Sequence, residues 1–309
     1  MKKLLRFLLL LGGLSPALGS AQSDGLPRGA YDAPYTRYEA EAATRAGGAV
    51  LRSAPTFVQT SVASEASNQQ YVALPTNGAS VSWTMSRPGA GVDLRFTLPD
   101  APGGGGVSGA LNLYVNGVLA RTINLSSYWS WQYFNNGGGD PSNIPGARAF
   151  MRFDEVHFRL ATRLRAGDVV KIQKDNGDAY EYGVDFIEVE EVPAPLAKPA
   201  GYVSVTDYGA VPNDGQDDLA AFNRCLNAAK AAGTGMYIPE GTFTLAATWR
   251  PEGAGFGIKG AGMWYSNLYF STNAFFSGGI LARLSNVEIS DLYIGTANNA
   301  RWENGQYRI

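Results

Sequence analysis

Two acids stand one residue apart in Tyr38-Glu39-Ala40-Glu41, and alternate residues of an extended strand share a face. Like charges so placed call for a cation. Together with Asp185 they could make an all-oxygen set for a hard ion such as calcium, tying an early strand to a late one. Two solvated carboxylates are the other reading. A second candidate is Ser127-Tyr128-Trp129-Ser130-Trp131-Gln132-Tyr133-Phe134, in which Trp129, Trp131 and Tyr133 share one face if the segment is a strand. A flat aromatic row stacks on the apolar faces of sugar rings while neighbouring amides and carboxylates take the hydroxyls. The same rings could instead be core, but the following loop, Asn135-Asn136-Gly137-Gly138-Gly139-Asp140, suits a binding rim better. Lys174-Asp175-Asn176-Gly177-Asp178 has the composition of a turn.

The remaining acids read as structural. Asp214-Gly215 makes a turn, Asp217 sits where a helix N-cap belongs, and Asp218 lies at the positive end of that helix dipole. Asp291 and Glu303 are the last acids, and their spacing does not mark a catalytic pair. The one histidine, His157, lies in the strand-like run Phe153-Asp154-Glu155-Val156-His157-Phe158 and reads as a strand residue, which points away from histidine-based metal or triad chemistry.

These residues need elements to position them. The 309 residues suffice for about two domains. Lys2, Lys3 and Arg6 before an apolar run from Phe7 to Leu14, ending in Gly19-Ser20-Ala21, read as an export signal over residues 1–21. The run is too short to span a bilayer, so a secreted protein without membrane attachment is expected. With 17% charged residues and net charge −2 the chain has no field suited to nucleic acid, and its partner should be neutral. A single cysteine excludes an intrachain disulfide, leaving a large core or a metal to hold the fold.

A leader covers residues 22–36. From residue 37 to 191 short alternating strands follow one another, among them Val81-Ser82-Trp83-Thr84-Met85, Val92-Asp93-Leu94-Arg95-Phe96 and Val184-Asp185-Phe186-Ile187-Glu188-Val189. Asn116-Gly117 between two such runs predicts a type I′ hairpin. The expectation is an antiparallel β-sandwich. Residues 192–201 contain three prolines and read as an extended linker. From 202 to 309 a short strand and a helix from about Asp217 to Ala232, ended by Gly233, precede short strands separated by Gly, Asn and Ser. Leu219, Phe222, Leu226 and Ala229 fall on one helix face with Cys225 beside them, a face suited to capping a core. Repeated short strands without intervening helices predict stacked coils.

YEAE opening a sandwich that ends in GVDFIEV resembles the carbohydrate-binding modules of the family 6, 35 and 36 group, over roughly Arg37 to Glu190. That resemblance implies a jelly-roll sandwich, a structural calcium at Glu39, Glu41 and Asp185, and sugar contacts from Asn176 and Asp178. The stretch from Val205-Thr206-Asp207-Tyr208-Gly209-Ala210 through Asn213-Asp214-Gly215-Gln216-Asp217-Asp218 to Ala221-Phe222 resembles the opening signature of pectin-lyase-type parallel β-helices. Ile238-Pro239-Glu240-Gly241-Thr242-Phe243 and Gly260-Ala261-Gly262-Met263-Trp264-Tyr265-Ser266 resemble family 87 glycoside hydrolases, the α-1,3-glucanase and mycodextranase group.

The joint implication is an all-β chain: the sandwich, then the truncated start of a right-handed parallel β-helix with an N-terminal capping helix. Inverting hydrolysis, which the family implies, needs two carboxyl groups about 6.5–9.5 Å apart. In the family these lie on later coils, so none is assigned in this chain. The expected protein is a secreted, monomeric α-glucan-binding fragment of a glycoside hydrolase. A binding protein without catalysis and a pectate-lyase-like enzyme are the alternatives.

Overall fold

The computed structural model describes residues 34–135, 138–140, 148–272 and 278–297. The export signal, almost all of the leader, and Glu303 lie outside these residues.

Alternating apolar residues fold the first half into β1 (Tyr35–Glu39), β2 (Thr44–Ala46), β3 (Val50–Ser53), β4 (Gln70–Leu74), β5 (Ser80–Thr84), β6 (Gly89–Thr97) and β7 (Ser108–Val115). They continue as β8 (Val118–Ser126), β9 (Gln132–Asn135), β10 (Gly138–Asp140), β11 (Arg148–Phe150), β12 (Asp154–Leu164), β13 (Val169–Gln173) and β14 (Tyr182–Glu190). One antiparallel sheet has the order β12-β6-β14-β4-β3, with β1 also pairing with β14; a second has the order β2-β5-β13-β7-β8. Their inner faces share one core, with Leu74, Leu94, Phe96, Val184 and Ile187 from the first sheet and Val81, Leu111, Leu113, Val170 and Ile172 from the second. This is the expected sandwich. Asn116 and Gly117 both take positive φ at the β7–β8 turn, as a type I′ hairpin requires.

The second half winds differently. Its elements are β15 (Val203–Ser204), α1 (Leu219–Ala231), β16 (Met236–Ile238), β17 (Gly241–Leu245) and β18 (Glu252–Ala254). There follow β19 (Gly257–Gly260), β20 (Ser266–Phe270), β21 (Arg283–Ser285), β22 (Glu288–Ser290) and β23 (Tyr293–Thr296). They pair only in parallel, as β15-β16-β19-β22, β17-β20-β23 and β18-β21, so each sheet takes one strand from each successive coil. Helix α1 covers the first coil with Phe222, Cys225, Leu226 and Ala229, packed on Phe243 and Trp249. The Cys225 thiol is buried and its pKa is pushed up to about 12, so it is inert packing material.

The acids before α1 do more than the sequence implies. Asp217 Oδ1 accepts from the amides of Leu219 and Ala246, both at 3.0 Å, and Asp218 accepts from Val211 at 2.9 Å and Thr244 at 3.2 Å. They stitch the helix start to the next coil.

Residues 192–201 are not a free connection. Leu196 N donates to Ala261 O at 2.8 Å, Tyr237 Oη to Leu196 O at 2.6 Å and Tyr265 Oη to Pro193 O at 2.6 Å. Sandwich and solenoid lie in one compact unit beginning at Tyr35. At their junction Arg159, Gly91 and Glu190 are neighbours across β12, β6 and β14. Trp264 Nε1 donates to Glu190 Oε1 at 2.7 Å, and His157 packs edge-on against Trp264 and Tyr293 with ring centroids 5.9 and 4.8 Å away. Arg159 lies over the Tyr265 ring at 4.8 Å and 3.6 Å from Glu240. The GAGMWYS turn is therefore the joint between the two halves. Among the described residues no helix is long and apolar enough to cross a membrane.

Candidate functional site

The three carboxylates proposed for a cation lie along one edge of the sandwich without converging on a single point. The β1–β14 pairing brings Glu39 opposite Phe186, beside Asp185, and residues 67 and 68 cover them. Ser67 N donates to both Asp185 oxygens at 3.1 Å, Ser67 Oγ donates to Glu39 Oε1 at 2.9 Å, and Asn68 Nδ2 donates to Glu41 Oε1 at 2.9 Å. Glu39 Oε2 and Glu41 Oε2 are buried atoms with no partner. Burial raises the pKa of Glu39, with the Glu41 charge acting in the same direction and the Ser67 hydrogen bond opposing it.

Asp185 is fully buried, and burial pushes its pKa to about 7 against the opposing Ser67 amide and Arg95. Arg95 Nη1 lies 3.0 Å from Asp185 Oδ2. The fit to a hard cation is therefore partial. Glu39 and Glu41 offer two shielded, unpartnered oxygens, whereas Asp185 already has a cation in Arg95. Among the described residues no three acidic, His or Cys groups converge on one point.

Arg95, Glu65 and Arg152 are a part of this edge that the sequence reading missed. Arg95 donates to Glu65 O at 3.2 Å, and Arg152 grips Glu65 Oε1 with Nε at 3.0 Å and Nη2 at 2.9 Å. The only local signal was an arginine amid apolar residues in β6 and another beside Phe153.

The aromatic row does not form. Its strand begins only at Gln132, and Trp131 takes a left-handed φ of 59° and turns its indole inward, donating to Leu98 O at 2.6 Å. Tyr133 is buried. Trp129 is 41% exposed, with Tyr128 edge-on to it at 5.4 Å. One indole is thus presented where a row of three was expected. Asn136 and Gly137 of the adjoining loop lie outside the described residues.

Asn176 and Asp178 are drawn into the sandwich's own wiring. Asn176 Nδ2 donates to Ala110 O at 2.8 Å and to Tyr182 Oη at 3.0 Å. Tyr182 donates to Asp178, whose Oδ1 lies 3.1 Å from Lys174 Nζ. Lys174 is 1% exposed, so this loop clamps a buried ammonium.

The family model of the alpha-1,3-glucanase catalytic domain D1 matches residues 32–192, more than half of the chain. The chain belongs to that family. That match covers the whole sandwich, the part that in sequence resembles a binding module. A second model, rhamnogalacturonase A/epimerase, pectate lyase-like, matches residues 202–303. No curated protein matches the chain.

Among solved structures, the Agl-KA catalytic domain is 48% identical with a TM-score of 0.80 over 86% of this chain and 47% of its own. The catalytic unit of the thermostable GH87 alpha-1,3-glucanase from Streptomyces thermodiastaticus strain HF3-3 is 32% identical, with a TM-score of 0.68 over 85% of this chain and 44% of its own. A GH87 alpha-1,3-glucanase catalytic domain in complex with nigerose is 28% identical, with a TM-score of 0.69 over 85% of this chain and 46% of its own. The chain spans about half the length of these glucanase structures.

Proposed function

We propose that the chain acts on α-1,3-glucan as part of an exported, monomeric glycoside hydrolase of this family, the sandwich bracing a solenoid that carries the substrate. The observation behind this reading is the 0.80 TM-score with the Agl-KA catalytic domain over sandwich and solenoid together. Relatives whose structures hold nigerose and tetrasaccharides support an α-glucan as the ligand. An opposed reading, sugar binding without hydrolysis, draws on the absence of an assigned acid pair. A uronide lyase draws only on the pectate-lyase-like model of the solenoid.

The test is retention of the purified chain on insoluble α-1,3-glucan, with cellulose, xylan and pectin as controls and reducing sugar assayed in the supernatant. Selective retention is expected. Preference for pectin overturns the glucan assignment in favour of the lyase, and failure to bind any of the four removes the sugar function.

We also propose a structural calcium at the sandwich edge, held by Glu39 and Glu41 with Asp185 alongside. The two unpartnered buried oxygens support it. A divalent cation would supply the charge that this pair lacks, cross-linking β1 to the segment at Ser67.

A further inference from the structure

Parallel stacking places outward-facing residues of successive coils about 4.8 Å apart, so a sheet's outer face is a grid of short rows. On the β17-β20-β23 sheet two rows are Thr242, Asn267, Tyr293 and Thr244, Tyr269, Gly295. Burial alternates along β20, with Ser266, Leu268 and Phe270 inward and Asn267 and Tyr269 outward.

The grid is chemically incomplete in one place. Gly295 has no side chain, and a methyl group there would lie 3.3 Å from the Tyr293 ring, 3.6 Å from the Tyr269 ring and 3.8 Å from Asn267 Oδ1. The two rings are 38% and 36% exposed, so each shows solvent an aromatic surface beside a glycine floor. Asn267 donates through Nδ2 to Thr242 Oγ1 at 3.3 Å, but its Oδ1 is shielded and accepts from no group. A shielded acceptor without a donor costs about 1–3 kcal/mol. Tyr293 is backed by His157 from the sandwich, which fixes one wall of the hollow.

We propose that this hollow is a subsite for one neutral glucose residue of an α-linked glucan, with Tyr269 and Tyr293 stacking on the sugar and Asn267 Oδ1 accepting from one of its hydroxyls. The inference rests on the α-glucan reading above and adds where on the chain the glucan sits. The orphaned oxygen needs a donor, and a sugar hydroxyl supplies one. The glycine is what lets the apolar face of a pyranose reach both rings, since any larger residue would occupy the floor.

The experiment titrates nigerose and α-1,3-linked tetrasaccharide into the whole chain by calorimetry, comparing wild type with Tyr269→Ala, Asn267→Ala, Gly295→Val and Trp129→Ala. Tyr269→Ala and Gly295→Val should each weaken binding by about tenfold or more, the loss typical of removing or blocking a central aromatic contact. Asn267→Ala should weaken it several-fold, and Trp129→Ala should leave it unchanged. Gly295→Val adds atoms only on the outer face, so it reads the hollow even if Tyr269→Ala fails to fold. Wild-type affinity in Gly295→Val and Asn267→Ala, with loss in Trp129→Ala, overturns the subsite and keeps the α-glucan reading. A wild-type chain that binds neither oligosaccharide overturns both.

Discussion

Gly91 and Trp264 lie 173 residues apart in sequence and touch only because the sandwich is seated on the solenoid. A methyl group on Gly91 would come 2.6 Å from the Trp264 ring and 3.0 Å from the side chain of Glu190, well inside van der Waals contact. The backbone does not resist the change, since Gly91 is in a strand and has no positive φ. Taken alone, Gly→Ala at a compatible position stabilises by about 0.4–1 kcal/mol through the unfolded state. Forcing a methyl into occupied space costs about 1–3 kcal/mol.

The net for Gly91→Ala is therefore a loss of about 1 kcal/mol. Trp264→Ala truncates a half-buried indole and its bond to Glu190, a loss of about 3 kcal/mol. It also empties the space that the Gly91 methyl needs. In the Trp264→Ala background the same Gly91→Ala change should become stabilising by about 0.5 kcal/mol, a coupling near 1.5 kcal/mol. Urea and thermal unfolding of the four proteins measure this cycle, at roughly 2–4 °C per kcal/mol for a chain of this size. An equal effect of Gly91→Ala in both backgrounds would refute the joint, because it would mean that the indole does not rest on β6 in solution.

Two further outcomes are expected. If calcium occupies the sandwich edge, an excess about 100 times its Kd adds about 2.7 kcal/mol, or about 5–11 °C in Tm, and Glu39→Gln abolishes the shift. No shift with calcium would return Glu39 and Glu41 to the reading of two solvated carboxylates. The second outcome concerns Asp93, whose pKa burial pushes to about 7, with Glu155 and Glu188 adding like charge. A carboxyl raised in the folded state binds its proton more tightly there, so its contribution to stability is complete below its unfolded pKa and is lost as pH rises through about 7. Asp93→Asn should therefore raise Tm above wild type at pH 8 and match it near pH 4, and a constant difference across that range would refute the assignment.

Local order was legible because it has local causes. Period-two alternation identified the sandwich strands, Asn116-Gly117 the hairpin between β7 and β8, and the apolar spacing from Leu219 to Ala229 the capping helix. Each depends on backbone geometry within a few residues. The stacked coils followed from short strands with no helices between them. YEAE and GVDFIEV also pointed to the edge where β1 meets β14, since terminal strands of a sandwich often pair.

Side chains depart from the local pattern where the backbone leaves a regular strand or where the partner lies on another element. Trp131 was placed with Trp129 and Tyr133 on the assumption of a regular strand, but its left-handed φ starts the strand one residue later and sends its indole to Leu98. Asn176 and Asp178 have the composition of a solvent-facing loop, yet Ala110 and Tyr182 of the sandwich strands engage them, and the turn's own Lys174 is buried against Asp178. GAGMWYS was a family signature with no assigned task until Trp264 was found on Glu190 and Tyr265 on Pro193.

The amino-acid order by itself determined which segments are strands, where helix α1 lies and which acids gather near the first sandwich strand. Only the tertiary structure decided that Arg95 neutralises Asp185, that His157 backs Tyr293, and that Tyr269 stands beside Gly295. Those contacts depend on coil register and on how one half seats against the other. Both are set by the packing of residues far apart in the chain, to which no local period responds.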